Sequence, residues 1–153
     1  MAVKLIASDL DGTLLTNKKE LSPRTREALD LAAAQGIYLV PATGRSFESV
    51  PEMIREYPGV EYLITANGGA VYSVSEKKRI YQCLMTSESV EAAIAVRKRE
   101  KMVMEVVIDG VPYAEEDYVR DPLSYLATEY GARYIKATRT PVKDIIEFAA
   151  QHA

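Results

Sequence analysis

Apolar residues alternate between two patterns along the first half of the chain. The runs at 3–9 (VKLIASD), 37–42 and 62–66 are almost continuous in apolar side chains, the pattern of strands buried on both faces. Between them the apolar positions take a helical period. Ser22-Pro23 offers an N-cap and a proline suited to the first helical position. Ala28, Leu29, Ala32 and Ala33 follow on one face, and Gly36 supplies a stop. Behind Ser46, Val50, Met53, Ile54 and Tyr57 are spaced i, i+3, i+4, i+7; Pro51 weakens that helix near its first turns and Pro58-Gly59 ends it. Strand–helix–strand, twice over, predicts a parallel sheet with right-handed crossovers, an α/β chain of the doubly wound kind.

The style changes after Gly69. Segments 71–74 and 79–84 read as a hairpin around 75–78. A helix starts at Thr86 or Ser87, with Val90, Ala93 and Ile94 inward. A strand over 102–108 meets Asp109-Gly110, a favoured hairpin dipeptide, and returns over 111–114. A helix is expected over 122–130, ended by Gly131, then a strand over 133–137. A last helix opens at Thr140-Pro141, with Val142, Ile145, Ile146 and Ala149 on one face. These expectations divide the chain into residues 1–81, part of an α/β core, and residues 82–153, an α+β unit.

Composition narrows the function. The 153 residues are 48% hydrophobic and 27% charged, which fits a globular domain and not a disordered tail. The net charge of −3 leaves no basic footprint for nucleic acid. Cys83, expected half-buried in a strand, is the single cysteine and excludes a disulfide framework or a Cys-based zinc site. His152 is the single histidine, which argues against a His-centred metal site or a Ser-His-Asp triad. No apolar stretch approaches the ~20 residues of a membrane span, and the short segment before the first acidic motif is no signal peptide. A soluble, cytoplasmic protein is the expectation.

The unusual residues fall where ligands bind in such sheets, beyond the carboxyl ends of the strands: Asp9 and Asp11 after the first, Thr43 to Arg45 after the second, Asn67 to Gly69 after the third. In Asp9-Leu10-Asp11-Gly12-Thr13, alternate residues of an extended segment can turn both carboxylates to one site. Paired carboxylates suit Mg²⁺. One can attack phosphorus and form an aspartyl-phosphate; the other can protonate the leaving alkoxide and later activate water. Thr43, just before a helix start, suits an anion. Arg45 can alternatively be a solvated charge, and Asn67-Gly68 an ordinary turn. No GxGxxG follows the first strand, which disfavours a dinucleotide-binding domain.

DLDGTLL after VKLIAS resembles motif I of the haloacid dehalogenase (HAD) superfamily. Ala42-Thr43-Gly44-Arg45 resembles its motif II, and Thr65-Ala66-Asn67-Gly68-Gly69 a stretch of the Cof-like, type IIB sugar-phosphate phosphatases. The resemblance implies a HAD-like Rossmannoid parallel sheet, its N-terminal half here, followed by the first part of a C2B-type cap. It implies Asp9 as nucleophile and Mg²⁺ ligand. Asp11 becomes general acid/base, with its carbonyl on the metal. Thr43 and Gly44 would hold the phosphoryl group, with Arg45 and Asn67 near the substrate entrance. The substrate would be a small phosphorylated metabolite.

The family's lysine motif and final acidic pair are not found in the 153 residues, which reads as a chain truncated within the cap. Val106 to Gly110 mimics the acidic motif but matches a cap hairpin better, and Lys77, Lys78, Lys98 and Lys101 read as solvated. Two functions follow: a Mg²⁺-dependent phosphatase, or a non-catalytic HAD-like fragment that binds phosphate weakly or acts through self-association. A phosphomutase is a third, less favoured. With the returning strands missing, strand one leaves an open apolar edge at 4–8, so a homo-oligomer covering it is expected.

Overall fold

Leu5–Ser8 forms β1 and Tyr38–Pro41 forms β2 in the computed structural model, which describes residues 2–100, 102–126 and 128–153. The solvated role expected of Lys101 lies outside the described residues. The two strands pair in parallel, Leu5 opposite Tyr38 and Ser8 opposite Pro41. Helix α1, Pro23–Ala34, connects them. Ser22 caps it as expected, its hydroxyl accepting the Thr25 N–H at 3.1 Å.

The helix expected behind Ser46 is broken. A 3₁₀ turn at Phe47–Ser49 precedes a short α2, Glu52–Arg55. A residue before proline is driven out of the α region, and Val50 is indeed extended, with φ −73° and ψ 128°. The Ser46 hydroxyl does not cap; it shares a hydrogen bond with that of Ser49 at 2.8 Å.

Tyr62–Thr65 is β3, tied to the β2 side by parallel bridges Leu39–Val60 and Ala42–Ile64. β4, Ala70–Ser73, and β5, Lys78–Gln82, continue from β3 as an antiparallel meander. Leu10, Leu39, Val50, Ile54 and Leu63 form the buried centre under these elements. Among the described residues β1 has β2 as its ladder partner, and Leu5 and Ile6 remain 51% and 38% exposed. Cys83 is exposed. β5 ends one residue earlier; Cys83 keeps only a backbone bond of its N–H to the Gly69 carbonyl at 2.8 Å among those described, so the half-buried strand position expected for it is not formed.

The chain divides into two compact units, Met1–Cys83 and Leu84–Ala153. In the second, α3, Ser87–Arg99, is capped by Thr86, whose hydroxyl accepts the Ser89 N–H at 3.3 Å. β6, Glu105–Ile108, and β7, Val111–Glu115, form the expected hairpin. Asp109 and Gly110 make its turn at φ 50° and 86°, so the acidic mimic at 106–110 is a hairpin. Lys77, Lys78 and Lys98 are exposed, as expected.

The last third corrects the sequence reading. α4, Glu116–Arg120, and a 3₁₀ turn at Pro122–Ser124 stand where a helix over 122–130 was expected, and α5 runs Glu129–Thr138 through the expected strand at 133–137. Gly131 does not end a helix; its N–H donates to the Thr128 cap at 3.1 Å. Ala132 and Ile135, one turn apart, are the buried positions of α5. Thr140–Val142 is β8, parallel to β7, and not a helix start. Proline is tolerated in such an outer strand. The helix α6, Ile145–Gln151, begins instead at Asp144, whose carboxylate accepts the Ile146 and Glu147 N–H groups, both at 2.9 Å. No helix among the described residues is long and apolar enough to cross a membrane.

Candidate active site

The loops that leave β1, β2 and β3 are stitched to one another at the carboxyl ends of these strands. The Ala42 N–H donates to the Ser8 carbonyl at 2.9 Å, and the Thr43 N–H to the Ile64 carbonyl at 2.9 Å. The Asn67 N–H returns to the Thr43 carbonyl at 3.1 Å, and the Ala66 N–H to the Arg45 carbonyl at 2.9 Å. The parallel register alone places the three strand ends side by side; these bonds carry the alignment into the loops.

Asp9 follows β1 directly and is exposed. Its carboxylate accepts the Thr13 hydroxyl at 3.2 Å. Leu10, between the two acids, is fully buried and anchors the turn: its carbonyl accepts the Leu15 N–H at 2.8 Å, while the Asp9 carbonyl accepts the Leu14 N–H at 3.2 Å. Gly12 stands at φ 89°, a left-handed backbone that a side chain would strain.

Asp11 is gripped by two cations. Arg45 Nε donates to one carboxylate oxygen at 2.7 Å and Nη2 to the other at 2.9 Å. Lys19 Nζ reaches the second oxygen at 2.7 Å. The Arg45 hydrogen bonds pull the Asp11 pKa down to about 2, against the upward push of partial burial and with further help from Lys19. Arg45 is itself held: its Nη1 donates to the Ser49 carbonyl at 3.0 Å, and its side chain is 11% exposed. Sequence reasoning offered two places for Arg45, a substrate entrance or a solvated charge. The side-chain contacts described for it include Asp11 and the Ser49 carbonyl.

Thr43 is buried, and its hydroxyl accepts the Arg45 N–H at 3.2 Å. Gly44 lies so close to Asn67 that a Cβ there would stand 2.7 Å from Asn67 Oδ1. Ala66 and Asn67 both adopt positive φ, 49° and 55°. For non-glycine residues this backbone is strained; the bonds from the Ala66 and Asn67 N–H groups to the second loop hold it in place. The structure thus brings Asp11, Thr43, Gly44, Arg45 and Asn67 into one connected set, with Asp9 at its β1 edge.

Lys19 escaped the sequence reading. Nothing in its type or spacing sets it apart from its neighbour Lys18. A small turn delivers it: the Thr16 N–H donates to the Glu20 carbonyl at 2.9 Å, the Lys19 N–H to the Thr16 carbonyl at 2.8 Å, and Lys19 sits at φ 62°.

A divalent cation would find few donors. The Asp9 carboxylate takes only a hydroxyl hydrogen bond among those described, but the Asp11 carboxylate is already neutralised by Arg45 and Lys19. Among the described residues no group of three or more His, Cys, Asp or Glu side chains is placed to hold a metal. One carboxylate and a main-chain carbonyl would supply two of the six ligands of an octahedral Mg²⁺, which keeps several waters and takes substrate phosphate oxygens for the rest; the residues present fit a weakly held ion.

A parallel β–helix–β sheet with two aspartates just beyond its first strand defines an α/β protein of HAD-like architecture. Residues 6–152 match the family model of haloacid dehalogenase-like hydrolases, and the chain belongs to that family. It is 34% identical over 107 residues to the HMP-PP phosphatase of Klebsiella pneumoniae, covering 70% of this chain and 39% of that protein. It is 39% identical over 70 residues to the 5-amino-6-(5-phospho-D-ribitylamino)uracil phosphatase YcsE of Bacillus subtilis, covering 46% of this chain and 28% of the relative. The fold is similar to that of a solved HAD subclass IIB sugar phosphatase, with a TM-score of 0.74 at 21% identity over 97% of this chain and 55% of the other. The chain therefore spans well under half the length of these two curated relatives and about half that of the solved structure.

Proposed function

We propose that this chain carries the nucleophile half of a phosphomonoester hydrolase acting on small phosphorylated metabolites. The observation that carries the reading is the hydrogen-bonded joining of the three strand-end loops, which sets Asp11, Thr43, Gly44, Arg45 and Asn67 around the position where Asp9 emerges. In this mechanism an Asp9 oxygen attacks phosphorus, and the bond from phosphorus to the ester oxygen breaks. Asp11, once its ion pairs with Arg45 and Lys19 are released and it has taken a proton from solvent, gives that proton to the departing alkoxide. A water then attacks the aspartyl-phosphate, the bond between phosphorus and the Asp9 oxygen breaks, and Asp11 takes the water's proton. The Thr43 hydroxyl and the Gly44 N–H hold the phosphoryl oxygens, and Arg45 and Asn67 border the substrate.

Mg²⁺ is the cofactor of this reading. Its chemistry is to offset phosphoryl charge; Asp9 and the Asp11 carbonyl are the donors proposed here, and weak binding is expected from so small a set. Residues 82–153 are proposed as the first part of a C2B-type cap, and the exposed edge of β1 as the seat of self-association between cytoplasmic copies of the chain. Light scattering that gives only the monomer mass at all concentrations refutes the last point.

The reading is tested by phosphate release from a panel of small sugar and aryl phosphates with Mg²⁺, comparing the chain with Asp9→Asn. Release that Asp9→Asn abolishes supports it; release that survives the substitution removes Asp9 as nucleophile. The ion pairs that occupy Asp11 favour a second reading, phosphate binding without turnover. That reading requires phosphate-dependent resonance shifts at Thr43 and Gly44 with no detectable release.

A further inference from the structure

We propose that Asn67-Gly68 is a self-modification site. Asn67 loses its side-chain amide through a cyclic imide with the Gly68 nitrogen, and the carboxylate left behind bars anions from Thr43 and Gly44. The modification stands on the loop's own geometry; the barring of anions rests on the proposed phosphoryl site. Asparagine is a thermolabile residue, and the residue after it decides how readily it reacts. The Gly68 N–H loses its proton to hydroxide, and the nitrogen attacks Asn67 Cγ. The Cγ–Nδ2 bond breaks, and ammonia leaves with a proton from water. Water then opens the imide at either carbonyl, which yields aspartate or isoaspartate. One water is consumed and one ammonia released, so no further reactant is needed.

The loop offers what this reaction requires. Asn67 and Gly68 are both exposed, and among the described residues no hydrogen bond holds the Asn67 side chain. A Cβ on Gly68 would meet nothing within 4 Å, so the space beside the attacking residue is open. Asn67 stands at φ 55° and ψ 35° and must leave this left-handed well for the ring to close. Ala66 at φ 49° strains the same stretch, and Gly68-Gly69 can absorb the rotation. The Ala66 and Asn67 N–H bonds to the second loop oppose the release, so the rate follows local opening. The other asparagine, Asn17, precedes Lys18, whose side chain crowds the attacking nitrogen. Asp11-Gly12 shares the glycine, but Arg45 and Lys19 pair with Asp11 as an ionised carboxylate, a poor electrophile. The product lies against the site: Asn67 Oδ1 and Nδ2 are 2.7 and 3.3 Å from where a Cβ on Gly44 would stand. Deamidation puts a negative charge there, and isoaspartate also adds a methylene to the main chain between the bonded loops.

The test ages the full chain at mildly alkaline pH and follows its peptides by mass spectrometry, with an isoaspartate methyltransferase to label the product. The Asn67 peptide is expected to gain the mass difference between an amide and an acid and to take the label, while the Asn17 peptide stays unchanged. If Asn67 stays intact in the folded chain, or if Asn17 keeps pace with it, the site is overturned; the chain unfolded in urea shows whether the fold is what protects it. Asn67→Asp, titrated with inorganic phosphate at constant ionic strength, should need about tenfold more phosphate to shift the Thr43 and Gly44 amides, the effect of one like charge in near contact. Equal half-saturation in the parent and Asn67→Asp overturns the barring of anions. If neither chain responds to phosphate while Asn67 still converts, the phosphoryl reading falls and the modification stands.

Discussion

Replacing Arg45 by methionine removes the fork that supplies two of the three described contacts to Asp11 and is the largest cause of its low pKa. The Asp11 pKa should then climb from about 2 toward its ordinary 3.8, stopping short because Lys19 remains. The sign of the stability effect follows by linkage. A carboxylate whose folded pKa is depressed adds stability that is fully present above the unfolded value of 3.8 and lost as the pH falls through about 2. At about 1.4 kcal/mol per tenfold, the displacement has a ceiling of about 2.5 kcal/mol. Asp11 keeps a third of its side chain exposed, and solvent screening lowers that to about 1 kcal/mol. The Asp11 carboxyl carbon, followed by NMR in chelator-treated buffer, measures the pKa. Urea midpoints at neutral pH and at about pH 2 measure the linked stability, whose loss should be smaller in Arg45→Met. An Asp11 that titrates near 3.8 in the parent, or that still titrates near 2 in the variant, refutes the reasoning.

Three further outcomes are expected. Leu63 is fully buried in β3, so Leu63→Ala should cost about 2–5 kcal/mol in the first unit by chemical denaturation; a cost below about 1 kcal/mol would mean the site collapses around the deletion. Gly44→Ala sets a methyl 2.7 Å from Asn67 Oδ1, and the Asn67 side-chain amide resonances should move while the melting temperature changes little; unmoved resonances would show that the loops are farther apart. Asp144→Ala deletes the acceptor of two N–H groups at the start of α6 and should cost about 1 kcal/mol, with hydrogen exchange in α6 rising and exchange in α1 unchanged.

Much of the first unit was legible because its elements depend on local rules. Ser22-Pro23 starts a helix wherever it precedes an amphipathic stretch, and α1 begins there. Continuous apolar runs mark strands, and β1, β2 and β3 all lie inside the expected segments. Failures came where a short apolar run suits either period. Residues 133–137 hold the strand-favouring pair Tyr134-Ile135, yet Thr128 caps a helix through them in which Ala132 and Ile135 are buried. At 140–142 pairing with β7 outweighed a plausible helix start, since a ladder partner distant in sequence leaves no local mark. Pro51 showed its effect in part: a weakening near the first turns was visible, the break into two separate short elements was not.

The order of residues by itself determined the α/β class, the place of the acids after the first strand, and the alignment of Thr43 and Asn67 with the next two strand ends. Periodicity and caps act over a few residues, and the right-handed parallel crossover is a general rule of chain connection, so those features follow from the order of residues. Only the tertiary structure decided that Arg45 turns onto Asp11 rather than toward solvent, and that Lys19 joins it from a turn eight residues further along. Ion pairs of this kind depend on where folded loops end in space, and the residues that form them carry no periodic signature along the chain.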